Sequence, residues 1–557
     1  MTGVNRAGWA GIVVLAGLNA IAAGAAPADA PASGPAGARV YVSPQGDDGN
    51  PGTSPDKPLR TIGKAAELVA PGTTVHLAPG TYAGRVVLTR SGTAEAPIVF
   101  RKDGNGEVVW TMSEPDPAKW DEKFALSLEG RKHVVLDGIT FRDCGAWLFM
   151  FDTENATIRN CVFDGCRIYN GVQLKNASYN RFLNCRFVKA ISIKEWKKMS
   201  DWWHQPAKGA DYIEIYFNSH HNLVQDCQFG EIAHVGVSVA AFQPGHTPRY
   251  NIIRNCTFRD PVWKCMGTGA SEYTLIENNV CTGTAAMFIQ LQSPKTIVRR
   301  NLFHGYREVR EANAHENLHS AISISSPNDR NTPCYAQHNR IYNNLFYDND
   351  KCTASFTWKG PVMDNLFKNN ILYRNRRTIF LPVPDYKGAN KNYFLRNVLL
   401  GADPGQKIVQ LSADTFTLAE AQTQLPDLYK DNLEVDPQFV DPEHGDFRLK
   451  KDSPCIDAGA HLTFAVADGS GTEVAVDDPL YFCDGFGLIE PDSVVVGSNK
   501  PAKIVQVDYE KKVLKVGAEI SWKKGDPVNL PYEGAGPDIG PFERPPGPGL
   551  ERRKAGP

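Results

Sequence analysis

Two glutamates, Glu214 and Glu272, are the carboxyl groups of this sequence that could work as a catalytic pair. Glu214 lies between Ile213 and Ile215 in a short apolar stretch, so a strand there would turn its carboxyl away from the core. Glu272 borders a second stretch of the same kind. Hydrolysis of a glycosidic bond needs two carboxyl groups, one of which protonates the leaving oxygen. The pair is therefore a candidate for glycoside hydrolysis.

A second chemistry uses the basic side chains near these stretches. His234, Lys264 and His319 are candidates for a base that removes the proton next to a uronate carboxylate. Arg307 and Lys359 are candidates for the cation that neutralises this carboxylate. These groups would serve a β-eliminating lyase. The sequence gives no certain cofactor and no clear metal-ligand spacing, and calcium is the one cofactor considered, for the lyase alternative.

Aromatic and cationic residues cluster in an insertion that spans residues 190–211. Indole rings stack on sugar rings, and basic groups attract an anionic polymer. The substrate-binding candidates of this insertion are Trp196, Trp202, Trp203 and His204. A second insertion, at 305–330, carries Arg307 and His319. The alternative for the first insertion is a surface loop that folds back on the rod, and for the second a solvated loop.

A short repeat shows which elements would position these groups. Apolar residues, a polar pair and another apolar residue recur, as in Val134–Phe141 and Thr157–Phe163. The step between those two copies is 22 residues, and most later steps lie between 22 and 29. No amphipathic helix separates the copies, which excludes helical solenoids and helical crossovers. The pattern predicts an all-β fold, a parallel β-helix with three strands per coil.

Stacked coils place equivalent residues in columns about 4.8 Å apart. We expect one column to contain buried thiols and then asparagine amides that bond from coil to coil. Its predicted members are Cys161, Cys185, Cys227, Cys256, Asn279, Asn301, Asn344, Asn370 and Asn397. Cys144 and Cys166 would form a second column and could pair. Glu214 and Glu272 would lie about two coils apart, near 10 Å, which is close to the spacing of an inverting pair.

The ends of the chain differ from the repeat. Residues 1–26 have the Arg6 charge, the apolar run and the small residues of an export signal, and 27–38 read as a linker. The β-helix is expected over 39–460, with a capping helix at Thr61–Val69. A β-rich module, for which capping is the simplest role, is expected over 461–545, and a disordered tail over 546–557. The net charge of −2 argues against a general nucleic-acid binder.

Several motifs resemble the secreted right-handed parallel β-helix proteins of the pectate-lyase-like superfamily. The opening Tyr41–Thr53, Lys57–Ile62 and Pro79–Tyr82 is similar to that of family 9 polysaccharide lyases and related glycosidases, and Ser453–Gly459 and Pro537–Glu543 are similar to closing motifs. The resemblance implies a right-handed β-helix. It leaves the reaction open, because this fold carries lyases, hydrolases, epimerases and adhesins.

The sequence therefore predicts a secreted or periplasmic enzyme that cleaves glycosidic bonds of a polysaccharide. Hydrolysis is slightly favoured, since no acidic cluster like the calcium site of a family 9 lyase is found. The alternatives are a lyase acting by β-elimination and a non-catalytic β-helix protein that binds carbohydrate or serves at a surface. We expect a monomer that neither binds nucleic acid nor inserts into a membrane.

Overall fold

The fold was taken from a computed structural model of the 557-residue chain. The structure describes residues 37–112, 124–166, 170–190, 211–241, 243–261, 263–285, 287–308, 320–326, 334–350, 353–358, 360–375, 379–381, 390–403 and 405–543. The predicted export signal and most of the predicted linker and tail lie outside these residues. Among the described residues, no helix has the length and apolar character needed to cross a membrane.

Three long sheets, formed from strands of successive coils, run side by side along the chain, and almost all their strand pairs are parallel. Sheet A contains the apolar start of each repeat: Arg39–Val42, Thr74–Leu77, Ile98–Lys102, Val134–Asp137, Thr157–Arg159, Arg181–Leu183, Leu223–Gln225, Ile252–Arg254, Leu275–Glu277, Ile297–Arg299, Arg340–Tyr342, Leu366–Lys368, Tyr393–Leu395 and Tyr429–Lys430. Sheet B contains the strand that follows: Gly80–Ala83, Val108–Thr111, Thr140–Cys144, Val162–Cys166, Arg186–Ala190, Gln228–Gly230, Thr257–Arg259, Val280–Ala285, Leu302–Glu308, Leu345–Tyr347, Ile371–Asn375 and Val398–Gly401.

Sheet C contains the third strand of each coil: Val86–Val87, Phe124–Ser127, Ala146–Phe151, Asn170–Lys175, Asp211–Tyr216, Val235–Ala240, Lys264–Gly269, Met287–Gln292, Ser320–Ser326, Ala354–Trp358, Ile379–Leu381, Val409–Leu411 and the antiparallel Asp414–Phe416. Two short pairs complete this part, Ala336–Gln337 with Val362–Met363 and Phe439–Asp441 with Asp446–Leu449. The predicted parallel β-helix with three strands per coil is confirmed.

The predicted column is confirmed at the turn between sheets A and B. The Asn279 Nδ2 donates to Asn301 Oδ1 at 3.0 Å, and the same contact repeats to Asn344, Asn370, Asn397 and Asn432. The four preceding cysteines are buried free thiols that donate to carbonyls of the coil before, as Cys185 Sγ does to Ile158 O at 3.5 Å. Cys144 and Cys166 are aligned neighbours in sheet B, as the predicted second column requires, and both are buried.

Phenylalanine rings inside the rod stack in the same way. Phe141, Phe163, Phe187, Phe229 and Phe258 succeed one another with ring centroids 4.6–5.3 Å apart and nearly parallel planes. Their columns belong to one continuous buried core. Because each ring contacts the ring of the next coil, the core fixes the register that brings outward residues into line.

A short helix, Ile62–Leu68, follows the first strand, close to the predicted Thr61–Val69. The Thr61 hydroxyl accepts from the Lys64 N–H, which satisfies one free backbone donor of the first turn. Ile62, Ala65 and Ala66 are buried against the first coil. A second helix, Leu418–Gln424, lies at the far end and begins with a capping box of Thr417 and Glu420.

The C-terminal module is a six-stranded sheet that packs on the outer side of sheet A. Its strands are Thr463–Phe464, Gly469–Ala475, Ser493–Val496, Ala502–Asp508, Val513–Trp522 and Pro527–Asn529, and the 3₁₀ turns Pro442–His444 and Gly485–Gly487 lie before and within it. Its apolar residues form one cluster with side chains of coils from Leu183 to Leu366. The module therefore lies along the flank of the rod, and the capping role expected for it is wrong.

Candidate active site

The outward face of sheet C carries a column of polar side chains that are nevertheless buried. Apolar neighbours such as Ile213 and Ile215 lie in the core, so the residues between them point outward. Strand register places Glu214 in one column with residues of five other coils. All members of this column are buried: Gln173, Glu214, Ser238, Gly267, Gln290 and Ser323. Buried polar groups on an outer face are typical of a binding site.

Glu214 is the central carboxyl group of this face. Its side chain is only 4% exposed, and the Asn170 amide Nδ2 donates to its Oε2. Burial raises the pKa of Glu214 well above its ordinary value, and the negative charge of Asp211 raises it further. Glu214 therefore holds its proton at pH values where an exposed glutamate is ionised. Such a carboxyl group can act as a general acid.

Asp211 opens the same strand and contacts a histidine of the next coil. Its Oδ1 lies 2.5 Å from His234 Nδ1, and the Asp211 side chain is 4% exposed against 20% for His234. The contact fixes the orientation of the imidazole and leaves Nε2 as the nitrogen that can accept a proton. A carboxylate that orients a histidine in this way is typical of a general-base pair.

Lys264 lies on the strand two coils after that of Glu214. Its Nζ donates to Gln290 Oε1 at 2.7 Å. A Cβ atom added at Gly267 would lie 3.2 Å from both Cε and Nζ of Lys264, so the lysine side chain crosses directly over this glycine. Since Gly267 belongs to the Glu214 column, the ammonium group lies over the outer face of sheet C.

The structure brings together three of the predicted site residues: Glu214, His234 and Lys264. Glu272 lies outside their face, in a turn column before sheet A, where its Oε2 accepts from Arg249 Nε at 2.9 Å. It shares no column with Glu214, so the two glutamates do not form the pair that the sequence suggested. The reason is that the strand Lys264–Gly269 ends before Glu272, and Ala270 turns the chain away.

Arg307 also lies elsewhere. It belongs to the sheet B strand Leu302–Glu308, and its guanidinium contacts Asp348 Oδ2 at 2.6 Å. Arg307 therefore does not lie on the outer face of sheet C beside the candidate bases, where a cation for the uronate carboxylate was expected. The remaining candidates, Trp196, Trp202, Trp203, His204, His319 and Lys359, lie outside the described residues.

Sequence reasoning missed Asp211 and Asn170. Asp211 was assigned to the end of the first insertion, although it is the first residue of its strand. A signal was present: Asn170 and Asp211 each precede their column residue, Gln173 or Glu214, by three positions, and register pairs them directly. Within the described ranges, no group of three or more His, Cys, Asp and Glu side chains is arranged to hold a metal ion. The calcium considered for the lyase alternative stays a prediction.

Comparisons with known proteins bear on the fold. Residues 40–201 match the family model described as Pel9A-like, right handed beta helix region. A stretch of 104 residues is 36% identical to the uncharacterised protein YwoF of Bacillus subtilis (strain 168), and the match covers 19% of this chain and 22% of that relative. This chain therefore spans less than a quarter of the length of that curated protein.

Solved structures of low sequence identity align over longer ranges. The crystal structure of pectate lyase Pel9A is 16% identical, with 91% of this chain and 96% of that one covered and a TM-score of 0.42. The catalytic domain of a GH87 α-1,3-glucanase in complex with tetrasaccharides is 13% identical, with 74% and 70% covered and a TM-score of 0.45. The three parallel sheets and the match of residues 40–201 to this right-handed model show that the chain has a right-handed parallel β-helix fold.

Proposed function

We propose that this chain is a glycoside hydrolase that cleaves a polysaccharide bound along the outer face of sheet C. The observation that carries the proposal is the pairing of two unlike groups on neighbouring coils. Glu214 is a buried carboxyl with a raised pKa, and the Asp211–His234 contact lies three residues from it. A site that holds a proton donor beside an oriented proton acceptor meets the needs of bond hydrolysis.

In the proposed reaction, Glu214 donates its proton to the glycosidic oxygen as the bond to that oxygen breaks. His234 Nε2 accepts a proton from the water that attacks the anomeric carbon, and Asp211 holds the imidazole through Nδ1. Asn170 positions Glu214 by donating to its Oε2. The titles of two similar structures, a pectate lyase and an α-1,3-glucanase, support a carbohydrate substrate for this chain as well.

A lyase is the second candidate, and one observation favours it. His234 Nε2 and Lys264 Nζ both lie on the outer face of sheet C, where either could remove the proton next to a uronate carboxylate. In that case no water is consumed, and the product carries a carbon–carbon double bond.

The test is a turnover assay on a panel of plant and algal polysaccharides, read by new reducing ends and by absorbance near ~235 nm. New reducing ends without that absorbance support hydrolysis, whereas an unsaturated product supports the lyase. Binding without either signal would favour a non-catalytic carbohydrate-binding protein.

Single substitutions test the catalytic roles proposed for Glu214, His234 and Asp211. We expect Glu214→Gln and His234→Ala to lower kcat by at least about 100-fold. Glu272→Gln is the matched control, because it removes a carboxylate of the Arg249 ion pair away from this face. Asp211→Asn should change the pH profile of kcat, since Asp211 acts through His234. Near-normal turnover of Glu214→Gln would overturn the assignment.

Export and the monomeric state stay proposals of the same kind. We propose that the chain acts outside the cytoplasm after removal of residues 1–26, on the evidence of the signal-like N-terminus. N-terminal sequencing of the chain recovered from the culture medium or periplasm, and light scattering on the purified protein, test the two statements.

A further inference from the structure

Lys175 lies on the same outer face as Glu214, one coil earlier. It ends the strand Asn170–Lys175, and register aligns it with Phe151 on one side and Tyr216 on the other. Tyr216 follows Glu214 by two positions, so the Cα atoms of Lys175 and Glu214 are separated by one coil and two residues. This offset corresponds to roughly 8 Å.

Aromatic rings hold the ammonium group of Lys175. Its Nζ lies 4.4 Å from the ring centroid of Phe217 and 5.0 Å from that of Phe151. The Tyr216 ring is in edge contact with both phenylalanines, at 4.9 and 6.0 Å. A cation over aromatic faces is attracted to them without losing its charge.

The positive charge of Lys175 has no carboxylate counter-ion among the described residues. In the described part of the chain, no Asp or Glu oxygen forms an ion pair with Lys175, whereas Lys132, Lys189 and Lys295 each have one. Lys175 is half-buried, so part of its side chain is open to a molecule bound on this face. A partly desolvated cation without a counter-ion is a favourable partner for an anion.

We propose that Lys175 binds an anionic substituent, a carboxylate or a sulfate ester, on the glycan that lies across Glu214. The proposal rests on the proposed function, because it assigns the substrate class of the same face. The ammonium is a point charge with three donors, so it accepts either anion. The Phe151 and Phe217 rings add an apolar surface for the sugar ring that carries the anion.

Affinity electrophoresis tests the proposal without turnover. The probes are native gels that contain polygalacturonate, a sulfated galactan or a neutral glucan. We expect the wild-type protein to be retarded in one of the two anionic gels and not in the neutral gel, and the retarding gel separates carboxylate from sulfate recognition. Lys175→Met should weaken the apparent binding about tenfold, as loss of one charge-assisted contact would.

Matched variants keep the result interpretable. Lys132→Met removes a lysine that pairs with Glu154 on a turn, and it should be retarded like the wild type. Lys175→Arg, which keeps the charge, should retain retardation, whereas a merely structural role for the lysine stem would leave Lys175→Met retarded as well. Equal retardation of Lys175→Met and the wild type would overturn the proposal, as would equal retardation in the neutral gel or none in any gel.

The two proposals fail separately. Glu214→Gln keeps Lys175 and should be retarded normally even when it is inactive. If no polysaccharide is cleaved but retardation still depends on Lys175, the hydrolase proposal fails and the anion site stands. If turnover depends on Glu214 but retardation does not depend on Lys175, the anion site fails alone.

Discussion

Asp211 Oδ1 contacts His234 Nδ1 of the next coil at 2.5 Å, while Glu214 on the same strand as Asp211 accepts from the neutral amide of Asn170. The carboxyl group beside histidine can act through it as a base. The carboxyl group beside asparagine is buried, and its pKa is raised. Two carboxyl groups three residues apart thus receive different roles from their surroundings.

The raised pKa of Glu214 predicts a pH-dependent cost to stability. The folded state holds this proton where the unfolded chain, with an ordinary glutamate, has lost it. The wild type should therefore lose stability as the pH rises from the ordinary glutamate pKa through the raised one. Glu214→Gln should match the wild type near ~pH 4 and exceed it progressively toward ~pH 8. Urea unfolding at several pH values measures the difference, and a constant difference would contradict the burial argument.

Arg299 joins the C-terminal module to sheet A through a buried ion network. It donates to Glu277 Oε2 at 2.8 Å and to both Asp492 carboxylate oxygens at 2.7 and 2.8 Å. Arg299→Met should lower the free energy of unfolding by about 3–5 kcal/mol, because two carboxylates lose their buried partner. Arg448→Met, which breaks an exposed pair with Asp446, should cost less than about 1 kcal/mol. Denaturant unfolding checks both, and equal costs would contradict the role of burial.

The asparagine column makes a second stability prediction. Asn344 Nδ2 donates to Val298 O and Asn370 Oδ1, both at 2.9 Å, and its Oδ1 accepts from the side-chain amide of Asn301, one coil earlier. Asn344→Ala should lower the unfolding free energy by about 3 kcal/mol, since several buried groups lose their partners. Gln228→Ala, which removes an exposed amide from sheet B, is the control and should stay within about 0.5 kcal/mol. A small effect of Asn344→Ala would show that the column tolerates a gap.

The buried cysteines of the column, Cys161, Cys185, Cys227 and Cys256, should react slowly with thiol reagents in the native protein. Burial raises the pKa of Cys161, Cys185 and Cys227 well above the ordinary thiol value, and the eleven described cysteines are all buried. In the native protein at ~pH 8, at most one of the twelve cysteines should react with Ellman's reagent, and all should react in denaturant. Ser470→Cys adds an exposed thiol as a positive control. Rapid reaction of several native thiols would contradict the column.

The repeat predicted the architecture well because its signal is local. Each copy carries its own apolar positions and its own marker, so Cys161 or Asn301 could be assigned to a column from spacing alone. The helix after Thr61 was predicted for the same reason. The place of the C-terminal module was not predicted, because its contacts with coils from Leu183 to Leu366 join residues far apart in the chain.

The site was predicted only in part, because a site depends on where each strand begins and ends. Glu214 and His234 could be placed on one face from the sequence, since they lie within or beside clear strands. Asp211 was assigned to an insertion, and Glu272 was placed in line with Glu214 although its strand had already ended. A shift of a few residues along a coil moves a side chain to another face of the rod. Sequence spacing therefore assigned each candidate to a coil but did not place every candidate in the column where the structure has it.

The module that packs along sheet A also constrains how the rod can come apart. A free solenoid can fray from either end, one turn after another, because each turn contacts only its two neighbours. Here the C-terminal module contacts many turns in the middle of the stack. Arg299, Arg340 and Lys368 of the rod bind Asp492, Asp478 and the Leu462 carbonyl of the module. Because one module contacts all of those turns, we expect them to unfold as a single cooperative unit rather than one after another.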